Sequence, residues 1–475
     1  MHSIYPLLKL LPPEDFQQRN GECILSRLTP DSTSTDWHRV EYYGRRIKAF
    51  YHDPNSLPTM TLPFHTCCAI QSYFPSSLFP KIDSLHIGSF DPISDAVLFM
   101  MASSPLRRVD ICKIQPCNRN LVDSLLTCLR EKAQNIQHLT LGGICPSQFP
   151  QWAGYLTGLI SLDLTQLDLD EGLYQPTIRG IANLPLLRTL MLDLAGGIGP
   201  QLPETVWSAP IDHLTLKGSI SQIAAFLNCH EMAHIRDIRL EFPACYAGNV
   251  APLEDWIAFQ QILSLVVSRW SEMQGVVLDI ERFLNSSVRL HRQDFPEVIE
   301  PLTVLTQLRR LRILPETSSV SCPGLSATDY WTMAKAFPAL EHLALPLARG
   351  NVITFEGLYK FALRCPRLRF LVVGIDTQLI PTTQYPAVAT DLEILSVGDS
   401  PLHNFKVHSI TRHLNQLFPR LKTIISTNAA WNDVQDLLKL YRSMMADSSE
   451  RREVTSALVE ELEAEDEVSV PSIIS

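Results

Sequence analysis

Leu187-Arg188-Thr189-Leu190-Met191-Leu192 reads as L-x-x-L-x-L, and the same phrase, with Ile or Val admitted at the apolar positions, returns along most of the chain. Upstream it is Ile82/Leu85/Ile87, Leu106/Val109/Ile111, Ile136/Leu139/Leu141 and Leu159/Leu162/Leu164; downstream it is Ile211/Leu214/Leu216 and Ile235/Ile238/Leu240. The second half continues with Leu308/Leu311/Ile313, Leu340/Leu343/Leu345, Leu368/Leu371/Val373, Leu392/Leu395/Val397 and Leu421/Ile424, with a weaker copy at Leu278/Ile280. Most successive starts lie roughly 23 to 33 residues apart, and self-similarity at about 20 to 50 residues marks a repeat architecture.

Within each copy the apolar residues alternate, as in a short strand whose side chains point to opposite faces. One such strand and its return segment cannot bury their own apolar face, so neighbouring copies must stack. The expected fold is therefore α/β: an irregular leucine-rich-repeat solenoid, or horseshoe, with a parallel β-sheet on the concave face and helices on the convex face. The segments from Ser94 to Ser103, Asn118 to Gln134, Gln222 to Cys229, Ala327 to Phe337, Phe355 to Cys365 and Lys406 to Phe418 have the matching helical character. In the second of these, Leu121, Leu125, Leu126 and Leu129 have the spacing of one buried helix face. Pro precedes many strands, as in Leu184-Pro185, Phe337-Pro338 and Cys365-Pro366, where it stops a helix without removing a donor from the sheet. Between Leu240 and Leu308 a further helix is expected at Trp256 to Trp270, with Trp256, Phe259, Leu263, Val266, Val267 and Trp270 on one face; an insertion and an enlarged repeat fit equally.

Hydrophobic residues make up 45% of the chain and charged residues 19%, the balance of a protein with a sizeable core. At 475 residues one spherical core would be too large, whereas a solenoid extends its core in one dimension. No apolar run reaches the roughly 18 residues of a membrane span, and Met1-His2-Ser3-Ile4-Tyr5-Pro6 lacks the form of a signal peptide. The expectation is an intracellular chain, cytoplasmic or nuclear, with no membrane contact. Its 11 cysteines are scattered without C-x-x-C, which suits reduced, mostly buried thiols. Cys67-Cys68 reads as structural, because adjacent strand residues point to opposite faces. Asn285-Ser286-Ser287 fits a glycosylation acceptor, by chance in an unsecreted chain. The net charge of -10 is unevenly placed: Ala446 to Ser475 holds nine Asp and Glu against Arg451 and Arg452, which is -7 of the total. Residues 446–475 thus read as a disordered acidic tail that aids solubility or docks a partner. The divisions expected are an N-terminal region at 1–60, the solenoid at 61–445 and the tail at 446–475. No basic stripe is present, so nucleic acid is not an expected partner.

A search for catalytic chemistry finds no G-x-S-x-G, P-loop or G-x-G-x-x-G. His230-Glu231-Met232-Ala233-His234 fits H-E-x-x-H, a zinc motif only when a helix puts both His on one face with the Glu beside them. Here the five residues run straight into the strand phrase at Ile235, so chance spacing in a loop is the reading adopted. His86, His138, His213 and His342 occupy x positions on mostly non-adjacent strands. With strands about 4.8 Å apart, four-fold coordination would not close. No catalytic residue, cofactor or metal is expected.

The x positions point away from the core and compose the face that could bind a protein client. They are Asp163, Asp193, His213, Lys217, Asp237, Arg239, Glu241, Asp279, Glu281, Arg310 and Arg312, a stripe running from acidic through mixed to basic that could steer a complementary partner. His342 and Phe370 extend the candidate face. Further on the same positions turn apolar, at Ala344, Pro346, Phe370, Val372, Ile394 and Ile425. Such a patch marks either a binding site or surface covered by another segment. Arg310 and Arg312 are the first choice for client contact, since Arg is enriched at hot spots; the plain alternative is a solvated strand surface.

Strand phrases such as Cys365-Pro366-Arg367-Leu368-Arg369-Phe370-Leu371 and Phe337-Pro338-Ala339-Leu340-Glu341-His342-Leu343 resemble the irregular leucine-rich domain of fungal F-box proteins. The stretch from Leu28-Thr29-Pro30 to Asp36-Trp37-His38-Arg39-Val40-Glu41-Tyr42-Tyr43-Gly44-Arg45-Arg46-Ile47 is similar to the linker that joins an F-box to such repeats. Tyr5-Pro6-Leu7-Leu8-Lys9-Leu10-Leu11-Pro12 resembles the segment before that linker. The resemblance implies a non-enzymatic substrate-recognition part of a ubiquitin-ligase receptor, with a client on the concave face and a cullin-RING ligase adaptor at the N-terminal region. An F-box is a helical unit opening on a Leu-Pro pair, and the stretch before the linker has no room for one; Met1 to Leu11 is at most its remnant. A truncated gene model, a divergent member without an F-box, and an adaptor contact made by Met1 to Phe50 are the three explanations. A stand-alone leucine-rich scaffold or enzyme regulator is the second functional reading, and an enzyme resting on His230, Glu231 and His234 is the third.

Overall fold

The structure is a computed structural model. It describes residues 7, 9–10, 16–19, 22–25, 35–52, 78–88, 105–132, 134–195, 205–242, 253–280, 299–314, 325–347, 352–378, 380, 385–386, 388, 390–402 and 406–444. The chain divides into two compact units, Met1–Arg282 and Phe283–Ser475.

In the first unit the strands Ala49–His52, Ser84–Ile87, Arg108–Ile114, His138–Ile144, Ser161–Asp168, Thr189–Asp193, His213–Lys217, Asp237–Glu241 and Gly275–Asp279 follow one another across the sheet in chain order. Each pairs in parallel with the next. The second unit repeats the arrangement with Arg310–Leu314, His342–Ala344, Phe370–Val372, Ile394–Gly398 and Thr423–Ser426. This is the leucine-rich-repeat solenoid that the phrase predicts. Sequential parallel strands require a crossover between them, and the intervening segments supply it.

The phrase maps onto the structure position by position. Leu187, Leu190 and Leu192 are fully buried, while Thr189 and Met191 between them, and Asp193 after them, are half-buried. Complete burial of one such leucine contributes roughly 1.5–3 kcal/mol. The residue after the first apolar position has its own role: its carbonyl accepts two N–H groups from the next repeat. Arg188 O takes the amides of Asp212 and His213, Asp212 O those of Arg236 and Asp237, and Arg236 O those of Gln274 and Gly275. The second unit does the same at Arg309, Glu341, Arg369 and Glu393. Consecutive repeats are thereby tied in register before the strand proper begins.

Helices Arg119–Lys132, Phe149–Ala153, Glu171–Ala182, Ile220–Cys229 and Leu253–Arg269 return the chain in the first unit, and Ala327–Ala336, Phe355–Arg364 and Val407–Leu417 in the second. Their apolar stripes complete the core: Val122, Leu125, Leu126 and Leu129 are buried, as are Ile410, Leu414 and Leu417. The helix in the long interval carries the expected face, with Trp256, Phe259, Leu263, Val266, Val267 and Trp270 all buried. Ser219 and Ser326 each start a helix with a reciprocal capping box, which satisfies donors that the first turn cannot pair internally. At the far end, residues 430–444 form a helix beside the last strand. Its Gln435 Oε1 accepts the Ile424 amide at 2.8 Å, and Arg442 donates to the Leu421 and Phe418 carbonyls.

Three features depart from the sequence reading. The sheet starts one strand earlier, at Ala49–His52, inside the N-terminal region expected at 1–60 and just after the linker-like stretch. Phe50 replaces the leucine there, so the phrase is not visible. The weak copy is shifted: Val276 pairs with Ile238 and Leu278 with Leu240, so Met273, Val276 and Leu278 carry the phrase and Ile280 lies beyond it. Thirdly, His230–Glu231 is a short strand paired in parallel with Thr205–Val206 rather than part of a loop. The expected helix at Ser94 to Ser103, Cys67-Cys68, Asn285-Ser286-Ser287, Glu281 and the tail at 446–475 lie outside the described residues.

Candidate interaction surface

Alternation along each strand leaves every second side chain on the open face of the sheet. In the first unit that face carries Asp163, Asp193, His213, Lys217, Asp237, Arg239, Glu241 and Asp279, none of them fully buried. Register then decides which of them meet. Asp193, Lys217 and Glu241 stand opposite one another on consecutive strands. Lys217 Nζ lies 2.7 Å from Asp193 Oδ2, while Asp193 Oδ1 accepts the Ala195 amide at 2.9 Å. His213 Nδ1 is 2.9 Å from Asp237 Oδ2, and Arg239 Nε is 2.6 Å from Glu241 Oε1. Asp163 turns back onto its own strand, where Oδ1 accepts from the Thr165 amide at 2.9 Å and hydroxyl at 2.7 Å. In this unit the stripe is therefore a set of opposite charges paired between or along strands, rather than a run of one sign. Exposed pairs of this kind contribute about 0–1 kcal/mol each.

A second row was missed in the sequence. Arg188 Nη1 lies 2.7 Å from Asp212 Oδ2, and Arg236 Nε lies 3.7 Å from Asp212 Oδ1. Arg309 faces Glu341 at 3.7 Å, and Lys422 faces Glu393 at 3.3 Å. These residues follow the first apolar position of their phrases. Alternation of sign between successive copies was the available signal, and it becomes readable only when the copies are stacked.

In the second unit, Arg310 is exposed and Arg312 half-buried, alternating with buried Leu311 and Ile313, so both arginines lie on the open face. His342 is the register partner of Arg310 on one side and Phe370 on the other, its ring 6.1 Å from that of Phe370. Burial, followed by the charge of Arg310, holds His342 below the ordinary histidine value. The apolar positions divide. Ala344 and Val372 are buried with Leu347, and Phe370 packs against them; Pro346 is buried too, Ile394 is half-buried, and Ile425 remains 49% exposed. Much of the predicted apolar patch is thus covered by the chain itself.

The H-E-x-x-H match does not form a site. The buried His230 ring lies against Trp207 and Phe226, at centroid distances of 5.9 and 4.5 Å, whereas Glu231 and His234 are exposed. A strand separates adjacent side chains onto opposite faces, which a zinc-binding helix would not do. Among the described residues no group of three or more His, Cys, Asp or Glu could hold a metal ion, and no helix is long and apolar enough to cross a membrane. Among the described residues, Cys112, Cys117, Cys128, Cys145, Cys229 and Cys365 are free thiols. Burial pushes those of Cys145 and Cys365 up to about 12.

No protein-family model matches the chain, and no curated protein matches it. Among solved structures, a chain in the crystal structure of the Rad7 and Elc1 complex in yeast aligns over 65% of this chain and 71% of its own, at 12% identity and a TM-score of 0.36. A Leptospira interrogans LRR protein aligns over 82% of this chain and 97% of its own, at 12% identity and a TM-score of 0.32. The fold assignment rests on this chain's own strand order and register.

Proposed function

We propose that this protein is a non-enzymatic protein-binding solenoid, and that it serves as the substrate-recognition part of an F-box-like ubiquitin-ligase receptor. The observation that carries the binding role is the open strand face. Successive parallel strands in each unit present half of their side chains, charged or aromatic at many positions, while the other half form the core. Such a surface gives a protein client broad contact and charge complementarity. In the first unit the stripe's charges already have partners, so a client there must match alternating signs. Arg310, Arg312, His342 and Phe370 offer cationic and aromatic groups side by side, the composition of interface hot spots. The ligase reading is supported by the resemblance of the repeats and of the 28–47 stretch to F-box proteins.

The test is affinity purification of the chain from its own cells, scored for the cullin-ligase adaptor and for client proteins, with R310E/R312E alongside. Adaptor recovered with the chain, together with a client lost in R310E/R312E, is the expected result. A client recovered without adaptor, even when upstream sequence is restored, would replace the ligase role with that of a free-standing scaffold or enzyme regulator. Clients retained in R310E/R312E would remove the two arginines from the binding surface.

A further inference from the structure

Tyr51, His86, Arg108, Asp110 and Cys112 meet on the open strand face of the first unit, outside the charged stripe. His86 and Asp110 are register partners on adjacent strands, and Cys112, two residues after Asp110, shares its face. Cys112 Sγ lies 3.8 Å from His86 Nε2. His86 Nδ1 lies 3.7 Å from Asp110 Oδ2, an oxygen also held by Arg108 Nε at 2.8 Å. Asp110 Oδ1 is buried without a hydrogen-bond partner. The Tyr51 ring lies 5.6 Å from the His86 ring. Thiol, imidazole and carboxylate stand in the order of nucleophile, base and orienting group.

We propose that Cys112 is a base-assisted nucleophilic thiol that takes up a soft carbon electrophile of the α,β-unsaturated carbonyl class, with His86 as its base and Asp110 as a positioning residue. As Sγ bonds to the β-carbon, the thiol proton passes to His86 Nε2 and the C=C π pair moves onto the α-carbon and carbonyl oxygen. The imidazolium then returns the proton to the α-carbon. Nothing is oxidised or reduced, and the product is one thioether per chain, without turnover. Asp110, 3.7 Å from Nδ1, favours by its charge the tautomer in which Nδ1 carries the proton and Nε2 is free to accept one, and it stabilises the transient imidazolium.

Burial, then the charges of Asp110 and Asp163, raises the Cys112 thiol above its ordinary value. It is therefore not a resting thiolate, and it needs a base at the moment of attack, as a serine hydroxyl does. The other charged or titratable groups around it are Tyr51 on an earlier strand, Arg108 beside Asp110, and His138, the register partner of Arg108. Cys117 is the internal control: it is exposed, and its Sγ donates to the Gln115 side-chain oxygen at 3.7 Å. An adduct at Cys112 would stand on the same type of strand face as the proposed client surface, yet the inference does not depend on that role.

The experiment treats the full chain with acrylamide from about pH 6 to about pH 9 and follows adducts on the Cys112 and Cys117 peptides by mass spectrometry. General-base assistance predicts that Cys112 reacts roughly tenfold or more faster than Cys117 at neutral pH. H86Q should bring Cys112 to the rate of Cys117 or below, H86A should recover with added imidazole, and D110N should fall between. Should the His86 variants fail to fold, the wild-type rates and D110N decide. A Cys112 rate no higher than that of Cys117 would overturn the proposal, as would an unchanged rate in H86Q.

Discussion

Lys217 and Asp193 are register partners on adjacent parallel strands, with Lys217 Nζ 2.7 Å from Asp193 Oδ2. Asp193 also accepts the Ala195 amide at 2.9 Å, where the chain leaves the strand, so the carboxylate holds a turn as well as an ion pair. D193A should therefore cost about 1 kcal/mol, while K217A, whose amine is partly in water, should cost less than about 0.5 kcal/mol. Urea unfolding of both variants and of the double mutant checks this. Equal losses in the two single variants would remove the role assigned to the Ala195 contact.

Leu190 and Met191 are neighbours on opposite faces of one strand, the first fully buried and the second half-buried. L190A should destabilise by about 2–5 kcal/mol because the surrounding core closes only partly over the cavity. M191A should cost under about 1 kcal/mol. Chemical denaturation separates the two, and a reversed order would mean that Met191 rather than Leu190 faces the core.

Gly143 has φ +93°, and a Cβ there would meet Ile114 O at 2.2 Å and Ile114 N at 2.4 Å. The strand register is irregular here, between Arg108–Ile114 and His138–Ile144, so both the backbone angle and the approach require glycine. G143A should lose about 2 kcal/mol or more. Gly172 is the contrast. It lies in the helix Glu171–Ala182 with nothing within 4 Å of its added Cβ, and G172A should raise stability by about 0.5–1 kcal/mol. Thermal melts of the two variants should move in opposite directions.

His342 is held below its ordinary value by burial and by Arg310. Above about pH 6.5 both folded and unfolded chains carry the neutral ring; as the pH falls the unfolded chain takes up the proton first, and stability is lost until the folded ring also protonates. H342Q should consequently lose less Tm than the wild type between about pH 7.5 and about pH 5.5. An equal drop in both would show that other groups govern acid stability in this range.

Ser219 Oγ accepts the Gln222 amide, and the Ser219 amide donates to the Gln222 side-chain oxygen. S219A should cost about 1 kcal/mol and S219D far less, because an aspartate preserves the acceptor. Circular dichroism melts distinguish the pair. If S219D falls as far as S219A, the box is not what starts this helix.

The repeat, its strands and most of its return helices were legible in the chain because each rests on local periodicity. Leu187, Leu190 and Leu192 must be buried together whatever surrounds them, and the stripe on Trp256 to Trp270 needs a partner in any fold. Where the phrase is broken, periodicity fails: Phe50 hides the first strand of the sheet, and Met273 displaces the weak copy by two positions. Strand parity also put the charged candidates of the described strands, from Asp163 to Arg312, on the open face. What each of them meets there was decided by tertiary structure. Lys217 finds Asp193 and His213 finds Asp237 only because loops of unequal length return the chain in register, and Ala344 and Val372 are covered only because Leu347 packs with them. The Cys112–His86 contact joins residues 26 apart. A side chain's face follows from its own strand, whereas its neighbours depend on the stacking of separate repeats.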